Sequence, residues 1–87
     1  MGALLIARLG DPGTHGGVIV TSAQRTTAEG ILIARIGDIY DCAIHGPNPI
    51  VEGCVKTWCE GPLVAHHTSL TACGAQIIAT AQRTWAE

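Results

Sequence analysis

At 87 residues the chain has room for one small domain, and a domain of this size buries only about 60% of the surface its unfolded chain exposes, so a staple beyond the apolar core is expected. A formal net charge of −2, from five basic and seven acidic residues, leaves no polybasic face for nucleic-acid phosphates or an anionic membrane. The start Met1-Gly2-Ala3-Leu4-Leu5-Ile6 lacks a basic region, a cleavage site and a myristoylation pattern, so synthesis in the cytoplasm without a signal peptide is expected, where four cysteines are more readily thiols or metal ligands than disulfides.

Apolar runs occupy residues 4–7, 18–20, 31–34, 50–51, 63–65 and 77–78, with eleven glycines and four prolines spread between them. The runs are too short for ordinary helices and rich in β-branched residues, which predicts an all-β fold of short strands. Strand alternation puts Leu5, Ala7 and Leu9 on one face, with Leu32, Ala34 and Ile36, then Leu63, Ala65 and His67, in the same places. Arg8, Arg35 and His66 fall on the other face, and His66 is expected to be a solvated substitute for arginine.

These correspondences are part of an internal triplication. Ala7-Arg8-Leu9-Gly10-Asp11, Ala34-Arg35-Ile36-Gly37-Asp38 and Ala65-His66-His67-Thr68-Ser69 align, as do Arg25, Lys56 and Arg83, and Glu29, Glu60 and Glu87, once four extra residues near 43–47 are allowed. The units run 3–29, 30–60 and 61–87 within a single domain, 1–87. A unit this short cannot bury its apolar face alone, and three suggest a closed pseudo-threefold body with its termini close together, the natural cap for a trimer. Gly10-Asp11 and Gly37-Asp38 are expected to be turns in which glycine supplies a positive φ and aspartate bonds nearby amides. The matched basic and acidic levels are expected to be solvated rings that keep sheet edges soluble. Trp58 and Trp85, at the position of Thr27, are expected to cover the end of the core.

His15, Cys42 and Cys73 occupy one equivalent position in the three units, so threefold closure brings them toward the axis. The insertion in the second unit adds His45, making Cys42-x-x-His45 a local chelate with the short spacing of structural zinc sites. Four N/S ligands are the number a closed, structural zinc takes. Cys54 and Cys59 fall at the positions of Ala23 and Ala28 and are expected to be small buried thiols.

His15-Gly16-Gly17, Cys42-Ala43-Ile44-His45-Gly46-Pro47-Asn48 and Thr71-Ala72-Cys73-Gly74-Ala75, set in the triplicated frame, resemble the PAAR-repeat family over the whole chain. The resemblance implies a small conical β-structure seated on the blunt end of a trimeric β-helical spike, VgrG-like in type VI secretion or its phage-tail equivalent. It also implies zinc near the apex, commonly held by three histidines and one cysteine. Those positions fall on His15, Cys42, His45 and Cys73, so one histidine is replaced by cysteine. A competing set, with His67 in place of Cys42, restores three histidines and one cysteine. The third unit departs from the family's Ala-Arg-x-Gly-Asp at residues 66–69.

The function expected is therefore that of a non-enzymatic spike tip, one monomer per trimer, that sharpens the spike for membrane puncture. It could anchor effectors non-covalently and leave the cell with the spike. No Ser/His/Asp constellation and no phosphate-cradling glycine loop is present. Two rivals stand beside this reading: an enzyme with an open catalytic zinc, and a freestanding zinc-binding module. The system, secretion apparatus or phage-like tail, is not specified by the sequence.

Overall fold

Every regular element among the described residues, 3–87 in the computed structural model, is a short strand, which agrees with the all-β expectation. In chain order they are β1 (Leu4–Leu5), β2 (Gly17–Ile19), β3 (Thr27–Ala28), β4 (Ile31–Leu32), β5 (Ile39–Cys42), β6 (Gly46–Pro49) and β7 (Trp85–Ala86). All pairings are antiparallel: β1 with β7, β3 with β4, and a three-stranded sheet in the order β2-β5-β6. No helix among the described residues is long and apolar enough to cross a membrane.

The molecule measures 30 × 27 × 23 Å and is organised around a ring of three alanines. Ala7 N–H donates to the Ala65 carbonyl at 3.0 Å, Ala34 N–H to Ala7 at 3.0 Å, and Ala65 N–H to Ala34 at 2.9 Å, so the three bonds close head to tail. Each alanine is fully buried, at 0% exposure, and a larger side chain here would overpack the centre. The next outward bonds repeat the cycle: Leu9 to Leu32, Ile36 to Leu63, and His67 to Leu5.

Three ribbons surround one side of this ring. β3-β4 turns on Glu29-Gly30, and Trp58 bridges Leu63 across Glu60-Gly61; φ is positive at all four turn residues, as a tight two-residue hairpin of matching twist requires. The third ribbon has no turn, being made by pairing the ends of the described chain, Leu4 with Ala86 and Leu5 with Trp85. A core cluster of Ile6, Ile33, Val64, Ala23, Cys54, Ala28, Cys59 and Ala86 lies under these ribbons. The chain enters a second cluster at the alanines, where Ile19, Ile50 and Ile77 pack with Tyr40, Cys42 and Ala75. Cys54 and Cys59 are buried thiols, as their alignment with alanines implies.

Each unit then makes a β-turn at residues 8–11, 35–38 and 66–69. In each the first carbonyl accepts the fourth N–H at 2.9–3.0 Å, and φ is +89° at Gly10, +93° at Gly37 and +76° at Thr68. A positive φ at the third position marks a type II turn, which glycine enters freely and a β-branched residue only under strain. Asp11 Oδ2 accepts Arg8 N–H at 2.9 Å, Asp38 Oδ2 accepts Arg35 N–H at 2.8 Å, and Ser69 Oγ accepts His66 N–H at 2.9 Å. The aspartates therefore do the turn chemistry expected of them.

Four expectations fail, for related reasons. His66 is not solvated but 8% exposed, its Nδ1–H donating to the His67 carbonyl at 2.6 Å. Arg8 is buried as well, with Ile6 and Ala7 beside it, so strand alternation breaks: neighbouring units cover both faces of residues near the ring. Trp58 and Trp85 are 62% and 56% exposed and cover no core end. Glu29 and Glu60 are exposed but not merely solvated. The Glu29 carboxylate accepts the backbone N–H groups of Gln82 and Arg83 and the Thr84 hydroxyl; Glu60 accepts Gln24, Arg25 and Thr26 N–H and the Thr26 hydroxyl. These bonds hold both carboxyls at about 2, against an ordinary 4.5; the leading cause is the Arg83 N–H for Glu29 and the Gln24 N–H for Glu60.

Candidate metal centre

His15 and Cys73 sit in matching turns, 13–16 and 71–74, each closed by a 3.0 Å backbone bond and followed by a glycine at positive φ, Gly16 at +79° and Gly74 at +91°. The second unit differs because its insertion turns this corner into the β5-β6 hairpin. Cys42 pairs with Gly46 across the three residues 43–45, and Gly46 takes φ +79°, as three-residue hairpin loops favour. Pro47 and Pro49 are tolerated because β6 is an edge strand. The hairpin was not anticipated from the sequence, which showed only an insertion there.

These three corners converge. One ligand atom from each of His15, Cys42, His45 and Cys73 lies within 4.8 Å of every other. Cys42 Sγ is 3.8 Å from His15 Nδ1 and 3.6 Å from His45 Nδ1, and Cys73 Sγ is 3.7 Å from His15 Nδ1. A tetrahedral ion with bonds of about 2.0–2.3 Å sets its ligand atoms roughly 3.3–3.8 Å apart, so these spacings fit a shared ion better than direct hydrogen bonds. Two imidazoles and two thiols suit a borderline-soft cation. Cys42 is buried, His15 and Cys73 are half-buried, and His45 is exposed, so the group forms a closed four-atom set with one face toward solvent. This group could hold a metal ion.

His67 is not brought to the cluster. Its Nδ1 accepts the Ala79 N–H at 3.1 Å and its own N–H donates to Leu5, so the competing set with His67 in place of Cys42 does not assemble. His66, also on the third turn, lies away from it too.

Two supporting residues escaped the sequence reading. Asn48 Oδ1 accepts Cys73 N–H at 3.0 Å while its Nδ2 donates to the Gly46 carbonyl at 3.0 Å, tying the third unit's corner to the hairpin that carries His45. The asparagine's place in the Gly46-Pro47-Asn48 run was its signal. Thr71 lies two residues from Cys73, with its hydroxyl 3.2 Å from Sγ. This contact is the main reason the Cys73 thiol is held at about 6 rather than 9.0, with the Ala75 backbone and His15 assisting against the opposing effect of burial. A thiol already ionised near neutral pH is ready to ligate. The Tyr40 hydroxyl donates to the Gly16 carbonyl behind His15, and a Cβ at Gly13 would run into the Tyr40 ring. Burial is the chief influence holding the Tyr40 hydroxyl above its ordinary range.

The PAAR motif family model matches residues 9–79, which span all three corners and the four clustered side chains. No curated protein matches the sequence.

Proposed function

We propose, since the chain belongs to the PAAR-motif family, that it is a non-enzymatic tip that caps a trimeric β-helical spike, with a structural zinc ion held by His15, Cys42, His45 and Cys73. One observation carries this reading: the ring of reciprocal bonds among Ala7, Ala34 and Ala65, which gives a single chain three near-equivalent sectors around one axis. A trimer presents three equivalent surfaces around its own axis, and one pseudo-threefold chain satisfies them together. The spike is VgrG-like, of a type VI secretion apparatus, or the equivalent of a phage-like tail. The tip leaves the cell with it, sharpening it for membrane puncture and carrying any effector non-covalently.

Two features support the assignment of ends. Cys42 belongs to the core cluster of the three corners and Cys73 packs against it, and a four-ligand set leaves no open position for substrate, which favours a structural over a catalytic ion. Beside the other cluster, Trp58, Trp85, Val55 and Ile31 are exposed on or near the ribbons, an apolar surface suited to a buried partner contact.

Native mass spectrometry with a trimeric β-helical spike protein from the same organism tests the proposal. One chain per trimer is expected, lost in the double variant Trp58→Glu/Trp85→Glu and retained in Ile44→Ser, which alters the exposed hairpin loop between Cys42 and His45. Three chains per trimer, or no association, would replace the tip reading with a freestanding metal-binding module.

A further inference from the structure

The first two units each hold an arginine side chain that the third has lost. Arg8 Nη1 donates to the Ala28 carbonyl at 3.1 Å and Nη2 to Thr80 Oγ1 at 3.0 Å. Arg35 Nη2 donates to the Ser22 carbonyl at 3.3 Å, and its Nε pairs with Asp38 at 3.1 Å. In the register of the triplication, Ser22 and Thr80 correspond to Gly53, and Ala28 corresponds to Ala86 at the third seam. The arginine there is His66, and its aspartate is Ser69.

The shorter imidazole does not fill the place. A cavity of about 230 Å³ opens at this seam, lined by Gly53, Cys54, Lys56, His66, Ala86 and Glu87 among others. An apolar cavity of about 150 Å³ accepts benzene, so a guanidinium on a short alkyl stem has ample room. No side chain can be added at Gly53 to close it, because a Cβ would lie 2.8 Å from both the Val64 carbonyl and Ile36.

What remains is a set of backbone acceptors that no arginine reaches. The main-chain carbonyls of Gly53 and Ala86 are the counterparts of those that hold Arg35 and Arg8. His66 spends its Nδ1–H on the His67 carbonyl, and the residue is only 8% exposed, so the imidazole is turned to its own turn rather than to these carbonyls. The Glu87 carboxylate pairs with the exposed Lys56 Nζ at 3.0 Å. Such a solvent-screened pair is weak enough for a better-fitting cation to displace.

We propose that this cavity is a binding site for a guanidinium group supplied from outside the chain, taking the place that the first two units fill with their own arginines. Planar, forked N–H donors match two carbonyls and a carboxylate spread around the cavity in a way that a compact ammonium cannot. The site is independent of the tip reading, since it rests on the difference between units rather than on a trimeric partner.

Methylguanidinium chloride, titrated into the full metal-loaded chain and followed by amide NMR, tests it. Saturable shifts at Gly53, Ala86 and Glu87 in the millimolar range are expected, with methylammonium chloride at least about tenfold weaker. His66→Arg should fill the cavity and abolish the shifts. If that variant does not fold, Glu87→Gln serves instead and should weaken binding severalfold. The peptide acetyl-Gly-Arg-Gly-amide separates the two sources of the group: the same shifts mean that a partner's arginine can enter, and their absence beside methylguanidinium binding means that a free guanidino compound is the ligand. No saturable shift with methylguanidinium, equal response to methylammonium, unchanged binding in folded His66→Arg, or unchanged affinity in Glu87→Gln would overturn the proposal.

Discussion

At the metal end three units aim side chains inward at one point, whereas at the ribbon end each unit reaches sideways to its neighbour's backbone. His15, Cys42, His45 and Cys73 meet within 4.8 Å. By contrast, Glu29 binds residues 82–84, Glu60 binds residues 24–26, and the Glu87 main-chain oxygen accepts Val55 and Lys56 N–H, both at 2.8 Å. Both devices close the ring between segments far apart in sequence. They differ in chemistry: the first gathers two imidazoles and two thiols that could hold a metal ion, and the second uses ionised carboxylates. A small chain with little core can therefore be loosened at either end by a different reagent.

The comparison breaks most sharply at the metal. Cys73→Ser, or removal of the ion by a chelator, should lower the thermal midpoint by on the order of 20 °C, taking a loss of about 4 kcal/mol and roughly 4–8 °C per kcal/mol for a domain of this size. Elemental analysis and calorimetry on the same sample check it. Folded, metal-free protein with an unchanged midpoint would show that the ribbon end suffices.

A second test lies between the ends, at the turns. Asp11 is 2% exposed and accepts Arg8 N–H, Thr80 N–H and the Thr80 hydroxyl. Asp11→Ala strands those donors beside a buried guanidinium and should cost about 3 kcal/mol, against about 1 kcal/mol for Ser69→Ala, where one neutral bond is lost. Equal costs in urea unfolding would mean that the arginine-bearing turns are no more demanding than the third.

The smallest effect is expected at the ribbons and depends on pH. Glu29 and Glu60 titrate at about 2 when folded, below 4.5, so their contribution is fully present above 4.5 and is lost as pH falls toward 2. The double variant Glu29→Gln/Glu60→Gln should be less stable than the parent at pH 7. The gap in thermal midpoint should shrink between pH 4.5 and 2. A gap that stays constant across that range would remove the carboxylates from the account.

Much of the metal cluster was legible because repetition carries geometric information: residues at one position of three equivalent units must meet if the units close around an axis. His15, Cys42 and Cys73 come together for that reason, and His45 joins them because its short spacing from Cys42 is local. The turn aspartates were legible for the same local reason, since Gly10-Asp11 and Gly37-Asp38 use backbone only three residues away. His66 and the two tryptophans were misjudged because burial in so small a ring is set by neighbouring units. Period-two alternation within one strand does not contain that information.

The sequence by itself determined the all-β class, the turn chemistry, and the meeting of His15, Cys42 and Cys73 at the three corners, because each follows from short-range backbone preference or from repetition. Only the tertiary structure decided that Glu29 and Glu60 clasp the amides of the preceding unit around the ring, that Asn48 ties a corner to the hairpin, and that a histidine in place of the third arginine leaves a cavity. Those outcomes depend on donors and acceptors distant along the chain that meet only after the alanine ring has closed.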